Sequence, residues 1–503
     1  LDIIDRHYNK LKYNHIYNIA AIIIDVNTGN VLAYVGNTRC KKNNHGNDVD
    51  IIVSPRSTGS ILKPILYAAA INDGLILPNT LLADIPTNIA GYMPQNYNHK
   101  YLGAVSASHA LAHSLNVPAV RLLKKYGVSK FYDLLQQLKF TTITKSANHY
   151  GLSLIIGGAE TTLWDLTTVY AGFSRTLNHF GNYNGQYDLN DYRENNFYFG
   201  KSLPEKKLTD FNILSAASIY STYLALTKVN RPLAESNWQF FGNTKKIAWK
   251  TGTSYGNRDA WAIGTTSRYV VGVWVGNANG VGRPYLTGVD AAAPVLFDLF
   301  AILPTSQWFD HPYDEMRKIP VCRKSGMRAS DICTPVDTVW VPVSGLKTSL
   351  CKYHKLIHLD YTGKFRVTDA CESVEKMQHR SWFVLPPIEA WYYKQTHPDY
   401  VELPVFAKGC SNAEINQMKI IYPEKNAIIY IPKELTGEKG KVVFKIAHRR
   451  DNAKIFWHID KTYVTMTTGI NEIALYITGG KHTLTIVDDE GNSESINFEI
   501  REK

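Results

Sequence analysis

The sequence lacks any apolar stretch long enough to cross a membrane. Its longest apolar runs are 19–24 and 291–303, and Asp298 interrupts the second, whereas a membrane-spanning helix needs about 20 apolar residues. The N-terminal segment has no secretory leader, and the chain begins with Leu1 instead of methionine. We therefore expect a fragment or a processed form that carries no membrane anchor in these residues.

Dense basic segments are also missing, although the chain as a whole is basic. The 55 Lys and Arg residues exceed the 44 Asp and Glu residues, which gives a formal net charge of +11. No zinc-finger spacing, RNA-binding signature or long Lys/Arg run accompanies this charge, which argues against a nucleic-acid partner. A diffuse positive charge favours anionic surroundings, such as an acidic polymer or a lipid head-group surface.

The length of 503 residues and the 45% hydrophobic content predict two or three domains. Helical apolar spacing at 106–126 and 162–177 alternates with strand patterns at 20–35 and 246–276. This mixture predicts an α/β layered fold with an antiparallel sheet flanked by helices. We predict a linker remnant at 1–17, this α/β domain at 18–304, a Cys-containing connector at 305–411 and a C-terminal domain at 412–503.

The segment around Ser60 and Lys63 has the pattern of a nucleophile with its base. Gly59 precedes Ser60, and the apolar residues that follow have helical spacing. Residues three apart on a helix are neighbours, so the Lys63 amine can reach the Ser60 hydroxyl. An ordinary lysine has a pKa near ~10.4, so burial or a second cation must lower that pKa before Lys63 can act as a base.

Two later segments complete the pattern of an acylating site. Ser114 and Asn116 can relay protons and hold a substrate amide. Lys250 begins a Lys-Thr-Gly-Thr run on a predicted strand, where it can act as the second cation and attract a carboxylate. Thr251 and Thr253 can hydrogen-bond that carboxylate, and Gly252 lets a substrate backbone approach the strand. The backbone amides of Ser60 and Thr253 are candidates for the oxyanion hole.

Each of these motifs is weak alone, because Ser60 can be a helix cap and Lys250 a solvated strand end. Together and in this order they resemble the active site of the class A penicillin-binding proteins, most closely the 1C type. Further segments support the resemblance over roughly 18–304, namely RSTGSILKP at 56–64, HSLNVPA at 113–119, GGAETTL at 157–163 and VWVGN at 273–277.

The resemblance implies a D,D-transpeptidase of the penicillin-binding and beta-lactamase fold. Ser60 would be the acylated nucleophile, Lys63 its base, Ser114 and Asn116 the second element, and 250–253 the substrate-binding strand. The implied substrates are peptidoglycan stem peptides ending in D-Ala-D-Ala, with beta-lactams as inhibitors and no cofactor. It also implies the periplasmic face of the bacterial inner membrane, anchorage through a missing N-terminal segment, and possible contacts with other cell-wall synthesis proteins.

Two alternatives remain open at this stage. A D,D-carboxypeptidase or beta-lactamase of the same fold needs a base for deacylation, and Glu160 is the nearest motif-borne carboxylate. We expect Glu160 to cap a helix instead, because it stands at the predicted start of one. A catalytically weak scaffold that only binds peptidoglycan is the alternative from a different class.

Five of the six cysteines lie in or next to the connector, at Cys322, Cys333, Cys351, Cys371 and Cys410. In an oxidising periplasm, two disulfides among the five are the first expectation. The alternative is a zinc site built from Cys322, Cys333, Cys351 and His354, because the Cys-x-x-His step at 351–354 suits one ligand pair. The sixth cysteine, Cys40, stands alone in a polar loop, and we expect it to have no catalytic role.

The C-terminal segment has short alternating strands at 442–446, 455–459, 484–486 and 496–500, separated by glycine-rich turns. Near-regular spacing of such strands predicts a small β-sandwich of immunoglobulin-like architecture. We expect Trp457 in its core and His458 on its surface, although the same two residues can line a glycan-binding surface.

Overall fold

The computed structural model describes residues 1–39, 45–89, 91–197, 204–229, 245–410, 417–431, 440–448 and 450–502. The chain forms two compact units. The first comprises Leu1–Leu82, Ser106–Ala329 and Pro335–Leu350. The second comprises Ala83–Val105, Ser330–Thr334 and Cys351–Lys503. The predicted connector at 305–411 is therefore divided between the two units. Among the described residues, no helix has the length and apolar character that a membrane crossing requires.

The α-helices of the described residues are α1 (Asp2–Leu11), α2 (Lys63–Asn72), α3 (Ala107–Ala112), α4 (Asn116–Tyr126), α5 (Val128–Gln137), α6 (Ala147–Tyr150), α7 (Leu163–Asn182), α8 (Ala216–Leu226), α9 (Ala293–Ile302) and α10 (Pro387–Tyr393).

The strands up to the end of the second hairpin of the connector are β1 (Asn18–Asp25), β2 (Val31–Val35), β3 (Arg56–Ser57), β4 (Leu81–Asp84), β5 (Gly103–Ser106), β6 (Glu160–Thr161), β7 (Tyr187–Asp188), β8 (Leu208–Thr209), β9 (Ala248–Thr253), β10 (Asp259–Thr265), β11 (Tyr269–Gly276), β12 (Met316–Cys322), β13 (Val336–Pro342), β14 (His354–Leu359) and β15 (Gln378–Phe383). The C-terminal strands are β16 (Met418–Tyr422), β17 (Ile428–Ile431), β18 (Val442–His448), β19 (Lys454–Ile459), β20 (Thr462–Thr468), β21 (Glu472–Leu475), β22 (Gly480–Asp488) and β23 (Ser493–Glu502).

A five-stranded antiparallel sheet with the order β2-β1-β11-β10-β9 forms the centre of the first unit. Its inner strands β1 and β11 are buried over almost their whole length, and their nearly continuous apolar sequences suit a sheet that is covered on both faces. The predicted α/β class with an antiparallel sheet is confirmed. Strand β9, which carries Lys250, lies at the edge of this sheet.

Two glycines show how helices cover opposite faces of the sheet. A Cβ on Gly272 of β11 would lie 2.4 Å from Thr167 of α7, and a Cβ on Gly264 of β10 would lie 2.7 Å from Phe300 of α9. Gly272 is paired with Ile263, the neighbour of Gly264, so the two glycines face opposite sides. Helices α7 and α9 therefore enclose the sheet, and both glycines permit the close packing.

The helix predicted at 106–126 is two helices. α3 ends at Ala112 and α4 begins at Asn116, and the break between them contains Ser114, whose φ is 56°. A left-handed residue cannot continue a right-handed helix. The prediction of one helix was wrong because the apolar spacing continues through the break. The break leaves Ser114 and Asn116 partly exposed.

The C-terminal part of the second unit contains two β-sheets, with the orders β16-β18-β21 and β17-β23-β22-β19-β20. All four strand segments predicted there from the sequence are confirmed, as parts of β18, β19, β22 and β23. Residues of both sheets share one apolar core, which includes Phe444, Trp457 and Phe498. Trp457 is fully buried, as expected, and its ring N–H donates to the Thr467 hydroxyl at 2.9 Å.

His458 does not lie on the surface, contrary to the prediction. It is fully buried in the second unit, and its Nε2 lies 2.5 Å from the hydroxyl of Tyr392 in α10. Burial lowers the pKa of His458 to about 4, so the imidazole is neutral at neutral pH. The prediction treated His458 as an ordinary surface histidine, whereas Ile388 and Tyr392 of α10 pack on this face of the sheet against Phe456 and Val487.

Only one disulfide is formed among the described residues, between Cys371 and Cys410 of the second unit. The expectation of two disulfides was therefore wrong. Cys322, Cys333 and Cys351 form no disulfide, and Cys40 lies outside the described residues.

Candidate active site

The predicted nucleophile Ser60 lies in a turn that leads into α2. The helix begins at Lys63, with Pro64 in its first turn, where a missing N–H has no cost. The amide of Ile61 donates to Thr58 O at 3.1 Å, and the amide of Lys63 donates to Ser60 O at 3.3 Å. Ser60 therefore precedes the helix instead of opening it, but the turn keeps Ser60 and Lys63 one turn apart, as predicted. Ser60 is partly exposed, as a residue that meets a substrate must be.

Two glycines allow this turn to lie directly against the edge strand β9. A Cβ on Gly59 would lie 2.5 Å from Thr253 O and 2.7 Å from Thr253 N, and a Cβ on Gly252 would lie 2.8 Å from Thr58 O. Real Cβ atoms do not approach backbone atoms so closely, and the φ of Gly59 is also positive, at 50°. Glycine on both sides of the contact brings Ser60 next to the Lys-Thr-Gly-Thr strand.

The backbone of Thr253 faces the Ser60 turn. Ser254 N–H donates to Asp259 O across the β9–β10 pair, which makes these two a hydrogen-bonded pair. In an antiparallel pair of strands, hydrogen-bonded residue pairs alternate with pairs whose N–H and C=O groups point away from the partner strand. Thr253 is paired with Ala260, next to the hydrogen-bonded pair. The N–H and C=O groups of Thr253 therefore point away from β10, toward the open edge of the sheet. This orientation leaves the Thr253 amide directed toward Gly59 and Ser60, where an oxyanion can be bound.

Ser114 lies at the end of α3 in a helix-terminating motif. Ser114 N–H donates to Leu111 O at 3.1 Å and Leu115 N–H donates to Ala110 O at 2.9 Å. These two bonds, with a left-handed residue at position 114, are the features of a Schellman motif, in which glycine is the usual left-handed residue. A serine at this position places a hydroxyl where the helix end would ordinarily have none.

Lys63 is buried next to Ser114 and Asn116. Its side chain is 3% exposed, and its Nζ donates to Ser114 O at 2.7 Å and to Asn116 Oδ1 at 2.7 Å. Burial, and secondly the charge of Lys250, lower the pKa of Lys63 well below its ordinary value. The lowered pKa that the sequence argument required is therefore present, with both of the expected causes.

Lys250 meets the same serine from the opposite side. Its Nζ donates to the Ser114 hydroxyl at 2.8 Å and to Thr251 O at 2.5 Å. It is 1% exposed, and burial lowers its pKa to about 7. Ser114 therefore bridges the two lysines through its carbonyl and its hydroxyl, and the three segments that the sequence analysis named meet in one place.

The hydrogen bonds of Lys63 suit a neutral amine acting as a base. A neutral amine has two N–H donors and one lone pair, and both donors are used on Ser114 O and Asn116 Oδ1. The lone pair occupies the remaining tetrahedral direction, where it can accept a proton. Ser60 has no side-chain hydrogen bond to another residue that the structure describes, so its hydroxyl is not committed elsewhere.

The threonines of the edge strand have a different setting from Lys250. Strand alternation places Thr251 and Thr253 on the other face of β9 from Lys250, and Thr253 Oγ1 accepts the Gly288 N–H at 3.0 Å. This acceptance leaves the hydroxyl proton of Thr253 free to donate. Their predicted role in holding a carboxylate stays a prediction.

Glu160 is not a helix cap. It lies exposed in the short strand β6, where it pairs with Ser57 of β3. The cap of α7 is Thr162, whose hydroxyl accepts the Asp165 N–H at 2.9 Å. The prediction was wrong by two residues because the threonine pair at 161–162 contains the better N-cap residue type.

The sequence analysis did not identify the residues that hydrogen-bond to the chain just before Ser60 and so support the turn. The indole N–H of Trp261 donates to Ser57 O at 2.8 Å, the Ser57 hydroxyl donates to Gly157 O at 2.9 Å, and Thr58 N–H donates to Ala159 O at 3.0 Å. The GGAETTL segment was noted only as a resemblance. Its support of the turn arises from contacts about 100 residues apart in sequence, for which no local pattern exists.

Three of the four predicted metal ligands lie together in the second unit. In the second unit, the sulfurs of Cys333 and Cys351 and a ring nitrogen of His354 lie within 4.8 Å of one another. Cys322, the fourth predicted ligand, is buried at the end of β12 in the first unit. None of these four residues belongs to the Ser60 site.

Comparison with known proteins matched two parts of the chain to family models. Residues 19–176 match the penicillin binding protein transpeptidase domain, and residues 407–498 match the Penicillin-Binding Protein C-terminus Family. The first match contains Ser60, Lys63, Ser114 and Asn116, and the second contains most of the two-sheet domain.

Individual relatives are similar to the same region. The chain is 33% identical over 291 residues to penicillin-binding protein 1C of Escherichia coli, and this alignment covers 57% of this chain and 34% of that protein. It is 30% identical over 267 residues to penicillin-binding protein 1B of Buchnera aphidicola, and this alignment covers 51% of this chain and 34% of that protein. The aligned part thus spans about a third of the length of these curated relatives. Among solved structures, penicillin-binding protein 1A from Haemophilus influenzae matches with a TM-score of 0.49 and 18% identity, over 67% of this chain and 54% of that chain.

Proposed function

Because the chain belongs to the penicillin-binding proteins and carries their transpeptidase domain, we propose that it is a D,D-transpeptidase that cross-links peptidoglycan stem peptides through an acyl-enzyme on Ser60. The observation that carries the proposal is the bridge of Lys63, Ser114 and Lys250. Two lysines are buried against one serine, one with its pKa well below the ordinary value and the other with its pKa lowered to about 7. Burying two amines has a cost that a purely structural site has no need to bear.

In the acylation step, Ser60 Oγ attacks the carbonyl carbon between two terminal D-alanines, and the neutral amine of Lys63 takes the hydroxyl proton. The C–N bond breaks, and the leaving amine receives a proton that passes from Lys250 through the Ser114 hydroxyl. Free D-Ala departs, and a Ser60 ester remains. A pKa near 7 suits Lys250 for this transfer because it holds and releases a proton at neutral pH.

In the second step, the amine of a neighbouring stem peptide attacks the ester. The attacking amine loses a proton through Ser114 to Lys250, and protonated Lys63 returns its proton to Ser60 Oγ as the ester bond breaks. The new amide is the cross-link, and both lysines return to their starting protonation states. No metal takes part in either step.

Binding groups surround the reacting carbonyl in this proposal. The outward amide of Thr253 and the amide of Ser60 stabilise the oxyanion. The terminal carboxylate is attracted by Lys250 and held by the hydroxyls of Thr251 and Thr253, and Asn116 positions the substrate amide. Because β9 is an edge strand, an extended peptide can add to it as a further strand.

The proposal includes the surroundings that the family membership suggests. We propose that the chain acts at the periplasmic face of the inner membrane, anchored by a segment outside these residues, and that beta-lactams acylate Ser60. The net charge of +11 supports work next to anionic cell-wall polymers. Glu160 is exposed in β6, and no observation favours it as a deacylating base.

Labelling with a fluorescent penicillin tests the acylation step. We expect one covalent adduct on the wild-type chain and none on Ser60→Ala. Ser54→Ala is a matched control, because Ser54 lies six residues earlier with its hydroxyl bonded to Asp50 O, and it should label like the wild type. An absent adduct on the wild type favours the scaffold alternative, and an adduct that persists in Ser60→Ala refutes the assigned nucleophile.

A peptide ending in D-Ala-D-Ala, supplied with and without an acceptor amine, tests the transfer step. We expect D-Ala release together with an amide-linked product when the acceptor is present. Release with hydrolysed peptide alone would assign the chain as a carboxypeptidase. Rapid loss of the penicillin adduct with turnover of the drug would assign it as a beta-lactamase.

A further inference from the structure

Thiol and imidazole groups of the kind that zinc prefers are gathered in the second unit. The sulfurs of Cys333 and Cys351 and a ring nitrogen of His354 lie within 4.8 Å of one another. Cys351 is 6% exposed and His354 is 3% exposed, so bulk water does not compete freely for these ligands. We propose that Cys333, Cys351 and His354 bind one structural Zn²⁺ ion.

The spacing of the Cys351 and His354 ligand atoms agrees with this geometry. Cys351 Sγ lies 3.6 Å from His354 Nδ1. Tetrahedral zinc with Zn–S of ~2.3 Å and Zn–N of ~2.0 Å separates a sulfur and a nitrogen ligand by about 3.5 Å, close to the observed distance. These two groups can therefore bind the same ion without a change of rotamer.

The orientation of His354 directs its Nδ1 toward Cys351. Its Nε2 lies 3.1 Å from Thr334 O, and a carbonyl oxygen only accepts hydrogen bonds. In the tautomer that donates this bond from Nε2, the lone pair is on Nδ1, the atom next to Cys351. A backbone carbonyl that fixes the tautomer of a histidine ligand in this way is a common feature of zinc sites.

The number of thiols also favours a metal over disulfides. Cys371 and Cys410 are paired with each other, which leaves Cys322, Cys333 and Cys351 in the described part of the connector. Three thiols cannot all pair among themselves. Within the second unit, Cys333 and Cys351 form no disulfide with each other, and zinc accepts thiolates together with an imidazole.

The role assigned to the zinc is to hold the short segment 330–334 against the hairpin of β14 and β15. That segment contains no strand or helix of its own. The Ser381 hydroxyl donates to Ile332 O, and His354 Nε2 donates to Thr334 O. A metal ion is a cross-link of the kind that loop-rich segments need. The proposal is independent of the chemistry at Ser60.

Metal analysis of the purified full chain tests the site. We expect about one zinc per chain by inductively coupled plasma mass spectrometry. Cys351→Ser and His354→Ala should each lower the zinc affinity roughly tenfold or more. Cys371→Ser is the matched control, because it removes the neighbouring disulfide and no proposed ligand, and it should keep its zinc. Cobalt(II) added to the metal-free wild type should give the absorption of a tetrahedral thiolate complex.

Defined outcomes overturn the proposal. Absence of zinc together with absence of the cobalt spectrum refutes the site, and so does a disulfide between Cys333 and Cys351 in the unreduced protein. Full zinc affinity in both Cys351→Ser and His354→Ala refutes it as well. Penicillin labelling of each variant reports on the fold around Ser60, so failure of the zinc site is distinguishable from failure of the proposed function.

Discussion

Ser114 combines a costly backbone conformation with a hydroxyl at the centre of the site. Its φ of 56° lies in the left-handed region, which costs a residue with a Cβ about 1 kcal/mol relative to glycine. The same residue accepts hydrogen bonds from Lys63 at its carbonyl and from Lys250 at its hydroxyl. The left-handed turn is what allows the carbonyl and the side chain of one residue to meet two lysines.

Comparison of Ser114→Gly with Ser114→Ala separates these two contributions. Both variants lose the hydroxyl, but only glycine relieves the left-handed strain, so we expect the glycine variant to be more stable by about 1 kcal/mol. Urea unfolding measures this difference. We expect both to acylate with penicillin at least about 100-fold more slowly than the wild type. Equal stability of the two variants would contradict the strain, and wild-type acylation in either would exclude the proton relay.

At the scale of elements, the site depends on how closely the Ser60 turn approaches the edge strand. The turn is joined to β6 on one side through Thr58 and Ala159 and rests on β9 on the other, where Gly59 meets Thr253. These contacts hold Ser60, the proposed nucleophile, near the outward amide of Thr253. The distance between the turn and β9 therefore sets the geometry of the proposed oxyanion site.

Gly59→Ala tests this spacing, because its Cβ would lie 2.5 Å from Thr253 O. The turn must move away from β9, and a displacement of about 1 Å is enough to reduce the acylation rate roughly 100-fold. Gly280→Ala is the matched control, since Gly280 also has a positive φ, of 75°, but has no atom within 4 Å of its Cβ position. Stopped-flow measurement of penicillin acylation compares the two variants. Equal rates in both would show that the close approach has no catalytic consequence.

At the scale of the whole molecule, each unit has buried ionisable groups whose protonation is linked to folding. In the first unit they include the two lysines of the site, and in the second unit they include His458, which is bonded to Tyr392. Burial holds the pKa of His458 at about 4, below its ordinary value of 6.5. Folding therefore favours the neutral imidazole, whereas the unfolded chain binds a proton already below pH 6.5.

This linkage predicts that mild acid destabilises the second unit. The contribution of His458 to the free energy of unfolding is fully present above pH 6.5 and is lost as the pH falls from about 6.5 to 4. Because each unit of pKa difference corresponds to ~1.4 kcal/mol, the loss amounts to about 3 kcal/mol. Urea unfolding at pH 7, 5.5 and 4, followed by tryptophan fluorescence, measures the change. His458→Gln has no imidazole to protonate and should lose most of this pH dependence. The same dependence in the variant would assign it to other groups.

The sequence was sufficient where the physics is local. One turn of chain separates Ser60 from Lys63, strand alternation around Lys250 identifies β9, and alternating strands identify the C-terminal β-domain. The order of the motifs led to the family through residues within a few positions of one another. Such features depend on backbone sterics and hydrogen bonds between near neighbours, which a sequence pattern records directly.

The tertiary structure decided everything that depends on distant neighbours. Only the folded chain brings Lys63 and Lys250 to opposite sides of Ser114, lowers both pKa values by burial, and turns the Thr253 amide toward Gly59. It also buried His458 and gathered Cys333, Cys351 and His354 while Cys371 paired with Cys410. Burial, pKa and metal geometry are sums over surroundings contributed by segments far apart in sequence, so no local pattern contains them.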